Sequence, residues 1–200
     1  MYLNQVKETL VEELRQRVLK EGYDLGNGIL KVDGFINHQI DPELMQGAGE
    51  QLARRFADAG ATKIFTAEIS GIAPALTAGL ALGVPVVFAR KRKPITMTEP
   101  VYIESAPSHT KGAEVLLMAS PEFLEAGDRI LIVDDFLATG HTLAALVRLV
   151  HQAGAELVGI GVLIEKAFEG GREVLSYLGV PIEALVTIAE MRDGEIILAE

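Results

Sequence analysis

Two adjacent acids, Asp134 and Asp135, follow an apolar run in the stretch ILIVDDFLATGHT (130–142), and a small polar loop comes after them. Neighbouring carboxylates repel, so their adjacency suits a polyhydroxyl or metal-bound ligand that both can grip. Downstream, Ala138, Thr139, Gly140, His141 and Thr142 lead into an amphipathic stretch. Small residues let the backbone approach a ligand, and glycine reaches dihedrals closed to other residues. The first amides of a helix have no internal partners, so an anion can sit there, with Thr139 and Thr142 adding hydroxyls. This spacing is that of a phosphate at 138–142 and a sugar whose vicinal hydroxyls meet Asp134 and Asp135. A plain strand-to-helix turn with a threonine cap is the alternative reading of the same residues. No GxxxxGK[ST] motif occurs, which sets the loop apart from that of a nucleoside triphosphatase.

A second loop offers similar chemistry. Glu68-Ile69-Ser70-Gly71-Ile72-Ala73-Pro74 follows a strand-like run and precedes a helical one. Arg90-Lys91-Arg92-Lys93 is a basic block in a chain whose formal net charge is −10. It opens 90–112, the one long stretch without clear periodicity, and loops of that length in compact domains usually act as lids or binding arms.

The elements that must position these residues are legible from periodicity. Val6, Leu10, Leu14 and Val18 recur at helical spacing and predict a helix over 4–20, with Asn4 placed to cap it. Residues 28–36 read as short extended or looped chain. Asp41-Pro42 is a cap followed by proline at the first helical position, opening a helix that stops near Gly60. Strands are expected at 63–69, 84–89, 113–119, 129–135 and 156–166, with helices at 73–83, 142–154 and 172–179. A final pair of strands turns through Arg192-Asp193-Gly194. Apolar strands alternating with helices imply an α/β fold with a mainly parallel sheet covered on both faces. Such sheets bind ligands beyond the carboxyl ends of their strands.

With 200 residues the chain fits one domain with a sizeable core, and 49% hydrophobic against 23% charged residues is an ordinary globular balance. The acidic balance argues against nucleic-acid binding, which needs a basic face. Absence of cysteine excludes disulfides and thiolate metal sites. No apolar run approaches the ~20 residues of a membrane span, and the charged amino terminus is unlike a signal peptide, so a cytoplasmic location is expected.

The string of four apolar residues, DD, two residues and ATGxT resembles the phosphoribosyl-pyrophosphate signature of type I phosphoribosyltransferases, and SGIAP resembles that family's pyrophosphate loop. The resemblance implies that Asp134 and Asp135 hold the ribose hydroxyls, while 138–142, Ser70, Gly71, Arg90 and Lys91 bind phosphoribosyl pyrophosphate. It also implies a small hood from about 1–40 and 165–200, and a mobile lid at about 90–112 with Ser108-His109-Thr110-Lys111 as its far limb. A magnesium ion is expected with the sugar substrate, held by substrate oxygens and water rather than directly by side chains. A homodimer is expected too, with the first helix and the lid as contact surfaces.

The segments ILKVDGFINHQIDPELM (29–45), VPVVFARKRK (84–93) and GVLIEKAFEGGR (161–172) are similar to the bacterial xanthine-specific branch of the family, extending the resemblance over nearly the whole chain. That branch's purine contacts map to Leu30, Asn37 and Lys166, and the position of Phe168 suggests a stacking partner. The ATG of the loop is a form associated with adenine enzymes, where some xanthine enzymes read ANG. That residue faces the phosphate, so acceptor choice is assigned to the Asn37 segment. A guanine/hypoxanthine or adenine acceptor, or a nucleotide-sensing regulator without turnover, are the competing expectations. A dinucleotide oxidoreductase is disfavoured because GxGxxG is missing after every early strand.

Overall fold

The computed structural model describes residues 2–107 and 114–199, with side chains from Val11 onward. The far limb proposed for the lid, including His109, lies outside the described residues. In chain order the elements are α1 (Tyr2–Glu21), β1 (Tyr23–Asp24), β2 (Leu30–Lys31), α2 (Pro42–Arg55), β3 (Lys63–Ala67), α3 (Ile72–Leu82), β4 (Val86–Ala89) and β5 (Tyr102–Pro107). There follow β6 (Glu114–Ala119), β7 (Arg129–Leu137), α4 (His141–Gln152), β8 (Glu156–Lys166), α5 (Gly171–Leu175), β9 (Ile182–Arg192) and β10 (Glu195–Leu198). Asn4 falls inside the first helix rather than capping it.

Six strands form the central sheet in the order β10-β9-β8-β7-β3-β4. All neighbours run parallel except the β9–β10 hairpin. That hairpin turns through Asp193 and Gly194, both at positive φ (53° and 85°), as a tight two-residue turn between twisted strands requires. The chain leaves β3 outward to β4, then returns to lay β7 against the other side of β3. The order therefore reverses between β3 and β7, which is where open α/β sheets place ligands.

Strand alternation on β7 explains the two-sided core. Leu131 and Val133 join α1, α2 and α3 on one face, while Ile130 and Ile132 join α4 on the other; all four are fully buried. On the first face Leu14, Val18, Leu44 and Leu52 pack together with Ala75 and Ala78. A methyl on Gly49 would come within 2.1 Å of Thr77 Oγ1, so only glycine lets α2 meet α3 this closely. Against the other face pack Leu143, Leu146 and Val150 of α4.

Two expectations are corrected. Residues 102–107, inside the stretch expected to be irregular, form β5. β6, expected in the parallel sheet, pairs antiparallel with β5 as a separate ribbon. The ribbon joins the sheet through the Arg90–Met118 bridge just past β4. YIESAP carries little apolar alternation and ends in proline, so its strand character comes from pairing with the more apolar β6.

Asp41 caps α2 as expected: its Oδ1 accepts from Leu44 N at 3.2 Å, and its Oδ2 lies 3.0 Å from Arg17 Nη1. The Arg17 hydrogen bond holds its carboxyl below the ordinary range. Asp41→Ala should destabilise the protein by about 1 kcal/mol, as loss of a cap does. Because this pKa is depressed, the carboxylate's stabilisation is present above the ordinary carboxylate range. It is lost as pH falls through the lowered value, so denaturant midpoints of the two proteins should converge in acid.

Candidate active site

β7, expected over 129–135, runs on to Leu137, so the two acids lie inside the strand with its end two residues further on. Asp134 is only 6% exposed, whereas Asp135 is half-buried. Asp134 Oδ1 accepts from Asp135 N at 3.0 Å, and Asp135 Oδ1 accepts from Phe136 N at 3.1 Å. Burial pushes the Asp134 carboxyl well above its ordinary value, and the neighbouring Asp135 charge pushes it the same way.

After β7 the chain turns through Ala138-Thr139-Gly140 into α4. Gly140 takes φ 79°, and a side chain there would strike Gly171 O at 2.9 Å. The first helical bond runs from Ala144 N to Gly140 O at 2.8 Å, leaving the amides of His141, Thr142 and Leu143 without helical partners. Gly171, at the start of α5, backs the loop: a methyl on it would lie 2.2 Å from Ala138 O and 2.7 Å from Gly140 N.

The loop after β3 closes the opposite wall. A methyl on Gly71 would lie 2.2 Å from Asp134 Oδ1 and 2.3 Å from Thr66 Oγ1. The missing side chain therefore lets this loop lie directly on the acidic end of β7. Glu68, just upstream, uses both its oxygens on the segment after β4: Oε2 accepts from Arg90 Nε at 2.8 Å and Oε1 from Lys91 N at 2.6 Å.

These loops enclose one cavity of about 300 Å³. Asp134, Asp135, all of 138–142, Ser70, Gly71 and Lys91 line it, and so do Leu30, Asn37 and Lys166. Asn37 is delivered by a single π turn, Asp33–Asn37, which buries Phe35 and Ile36 beneath it. Lys166 is the last residue of β8.

Two residues singled out from the sequence lie elsewhere. Arg90 is absent from the lining; its guanidinium is held by Glu68 and lies over the Phe88 ring, 5.6 Å from the centroid. Phe168 is 41% exposed outside the cavity, whereas Phe136 lines it, with Lys166 Nζ 5.9 Å from its ring centroid. Ile29, Ala67, Pro107 and Leu143 complete apolar parts of the wall, and none of them is assigned a contact by the sequence. Phe136 stood between the two quoted motif halves and had a signal in that position. Glu68 opens the second loop's motif, but its partners Arg90 and Lys91 lie 22 and 23 residues further on, so nothing local signals the pairing.

The family model described as "Phosphoribosyl transferase domain" matches residues 46–178. The chain belongs to this phosphoribosyltransferase family. It is 50% identical over 187 residues to a protein of Lactobacillus delbrueckii subsp. bulgaricus named xanthine phosphoribosyltransferase, covering 94% of this chain and 99% of that one. A protein of the same name from Bacillus licheniformis is 49% identical over 186 residues, covering 93% and 96%. Among solved structures, adenine phosphoribosyltransferase from Rhodothermus marinus superposes with a TM-score of 0.73 at 28% identity, covering 90% of this chain and 99% of that chain. The phosphoribosyltransferase match takes in both loops, both acids and Lys166, while Leu30 and Asn37 lie before it and are reached by the full-length similarity to the first two relatives.

Proposed function

We propose that this phosphoribosyltransferase joins xanthine to 5-phosphoribosyl 1-pyrophosphate, forming xanthosine 5′-monophosphate and pyrophosphate in purine salvage. The observation that carries the reading is a single cavity bearing the acid pair and the 138–142 amides together with Leu30, Asn37 and Lys166. Similarity over nearly the whole chain to proteins named xanthine phosphoribosyltransferase supports it.

In this reading the amides and hydroxyls of 138–142 hold the 5′-phosphate, and the Ser70–Gly71 segment with Lys91 holds the pyrophosphate. Asp134 and Asp135 grip the ribose hydroxyls. Breaking the C1′–pyrophosphate bond leaves positive charge on the sugar, and the two carboxylates favour that charge. Phosphate, sugar and purine are held in line, so catalysis is alignment and electrostatics, with no covalent enzyme intermediate. Arg90 acts from behind, through Glu68, rather than on the pyrophosphate.

Among the described residues no cluster of three or more metal-ligating side chains occurs. Asp134 and Asp135 place hard oxygen acceptors in the cavity, in keeping with a magnesium ion that would come with the sugar substrate, held by its oxygens and water, and would neutralise pyrophosphate charge. The same reading includes the hood and lid, a cytoplasmic location, and a homodimer. Leu76 and Leu80, 60% and 79% exposed one turn apart on α3, are apolar surface that a second copy would cover. None of the described helices is long and apolar enough to cross a membrane.

Asn37 both donates and accepts, matching the lactam edge of an oxopurine. Asn37→Ala should raise the xanthine KM about tenfold, the cost of one lost hydrogen bond, while the KM for the sugar substrate stays put. An equal rise in both would assign Asn37 to structure instead. The reading as a whole is tested by incubating the protein with magnesium, phosphoribosyl pyrophosphate and each purine in turn. Xanthine-dependent release of pyrophosphate with formation of xanthosine monophosphate is expected. Turnover of adenine or guanine without xanthine would move the acceptor, and absence of turnover with tight nucleotide binding would make the protein a sensor.

A further inference from the structure

The buried part of β3, residues 64–67, is apolar with one exception, Thr66, whose side chain is fully buried. Phe65 and Ala67 belong to the core on the α4 side and Ile64 to the core beneath α3, so strand alternation puts Thr66 on the α3 side. A valine has the same shape and would pack there without a polar atom. Among the described residues, nothing donates to Thr66 Oγ1 or accepts from it. Burying a hydroxyl without a partner is costly, so this one calls for a reason beyond packing.

The surroundings of the hydroxyl supply that reason. A methyl on Gly71 would lie 2.3 Å from Thr66 Oγ1 and 2.2 Å from Asp134 Oδ1. The two oxygens therefore flank one spot, and the group that would stand between them is the methyl that Gly71 lacks. Asp134 Oδ1 already accepts from Asp135 N at 3.0 Å, and a carboxylate oxygen has room for a second donor. Burial favours the protonated form of this carboxyl, whereas positive charge building on the sugar calls for the carboxylate. A hydroxyl donated to Oδ1 offsets the cost of ionising it. We propose that Thr66 is a positioning residue for the reaction: its hydroxyl donates to Asp134 Oδ1 as charge builds on the sugar, holding the carboxylate with its other oxygen toward the ribose. The inference rests on the reading of Asp134 as a ribose contact.

Other donors nearby are committed. Phe136 N serves Asp135, and Lys91 N serves Glu68. The side chains of Ser70 and Lys91 line the cavity, where the proposed function sets them on pyrophosphate. Thr66 lines no part of the cavity and so acts only through Asp134.

The test is steady-state kinetics and thermal melting of the full-length protein as Thr66→Val, Thr66→Ser, Asp134→Asn and the double variant Thr66→Val with Asp134→Asn. Thr66→Val keeps the shape and removes the hydroxyl. It should lower kcat about 10–10²-fold, the worth of one hydrogen bond to a charged group, with both KM values unchanged. It should also melt no lower than wild type, because a buried hydroxyl without a partner has gone. Thr66→Ser, which keeps the hydroxyl, should retain most of the wild-type rate. In the Asp134→Asn background, Thr66→Val should cost little more, since the two residues act as one unit. Wild-type turnover in Thr66→Val would overturn the proposal. So would a rate lost together with stability and not recovered by serine, or losses that simply add in the double variant. Asp134→Asn turning over at the wild-type rate would overturn the ribose reading itself, and the proposal with it.

Discussion

Asp135→Asn will leave the protein folded and lower kcat/KM by about 10²–10³-fold, the cost of removing one preorganised group that stabilises charge in the transition state. The amide preserves the carboxylate's shape and can still accept from Phe136 N, so only the negative charge that the proposed function sets against the sugar is lost. Stopped-time assays with saturating purine check this, and rates near wild type would take Asp135 off the ribose. Asp134→Asn should also lose activity, but with an opposite signature in stability. Asp134 is buried and its pKa is raised, so the folded state binds its proton more tightly than the unfolded state does. Stability from this group therefore falls as pH rises from the ordinary carboxylate range through the raised value. Asn carries no such cost. The variant and wild type should melt alike in acid, and the variant should melt higher at neutral pH. A functional acid held at the expense of stability gives this pattern; a structural acid would give the reverse.

Gly171→Ala is expected to be nearly as damaging, although Gly171 belongs to neither phosphate loop. Its new methyl would fall 2.2 Å from Ala138 O and 2.7 Å from Gly140 N, both backbone atoms that cannot swing aside. The 138–142 loop must shift, and a displacement of this scale at a positioning group costs about 10²-fold in kcat/KM for the sugar substrate. Overpacking should also cost about 1–3 kcal/mol of stability. The check is the split between substrates: the KM for phosphoribosyl pyrophosphate rises well beyond that for xanthine. Parallel increases would mean that α5 merely supports the fold.

Residues 134–142 were legible in the sequence because strand, acids, glycine turn and helix start are contiguous, and each local choice agrees with the next. The Ser70–Gly71 loop was readable for the same reason. What escaped depends on contacts between distant segments. Nothing near residue 171 announces that it touches Ala138, and nothing near Arg90 announces that Glu68 has claimed it. The position of Phe168 next to Lys166 suggests a stacking partner, yet the 3₁₀ turn after β8 carries it out of the cavity, which Phe136 lines instead. The burial of Asp134 was hidden because the apolar run ends at Val133, while β8 keeps pairing β7 as far as Leu137. β5 was missed because its strand character resides in its partner.

The most direct measurement is a crystal structure of the protein soaked with xanthosine 5′-monophosphate. It should show the phosphate on the amides of 138–142, the ribose hydroxyls on Asp134 and Asp135, and the base between Asn37 and Lys166. A nucleotide lodged elsewhere, or one bound with its ribose turned away from both acids, would contradict the account.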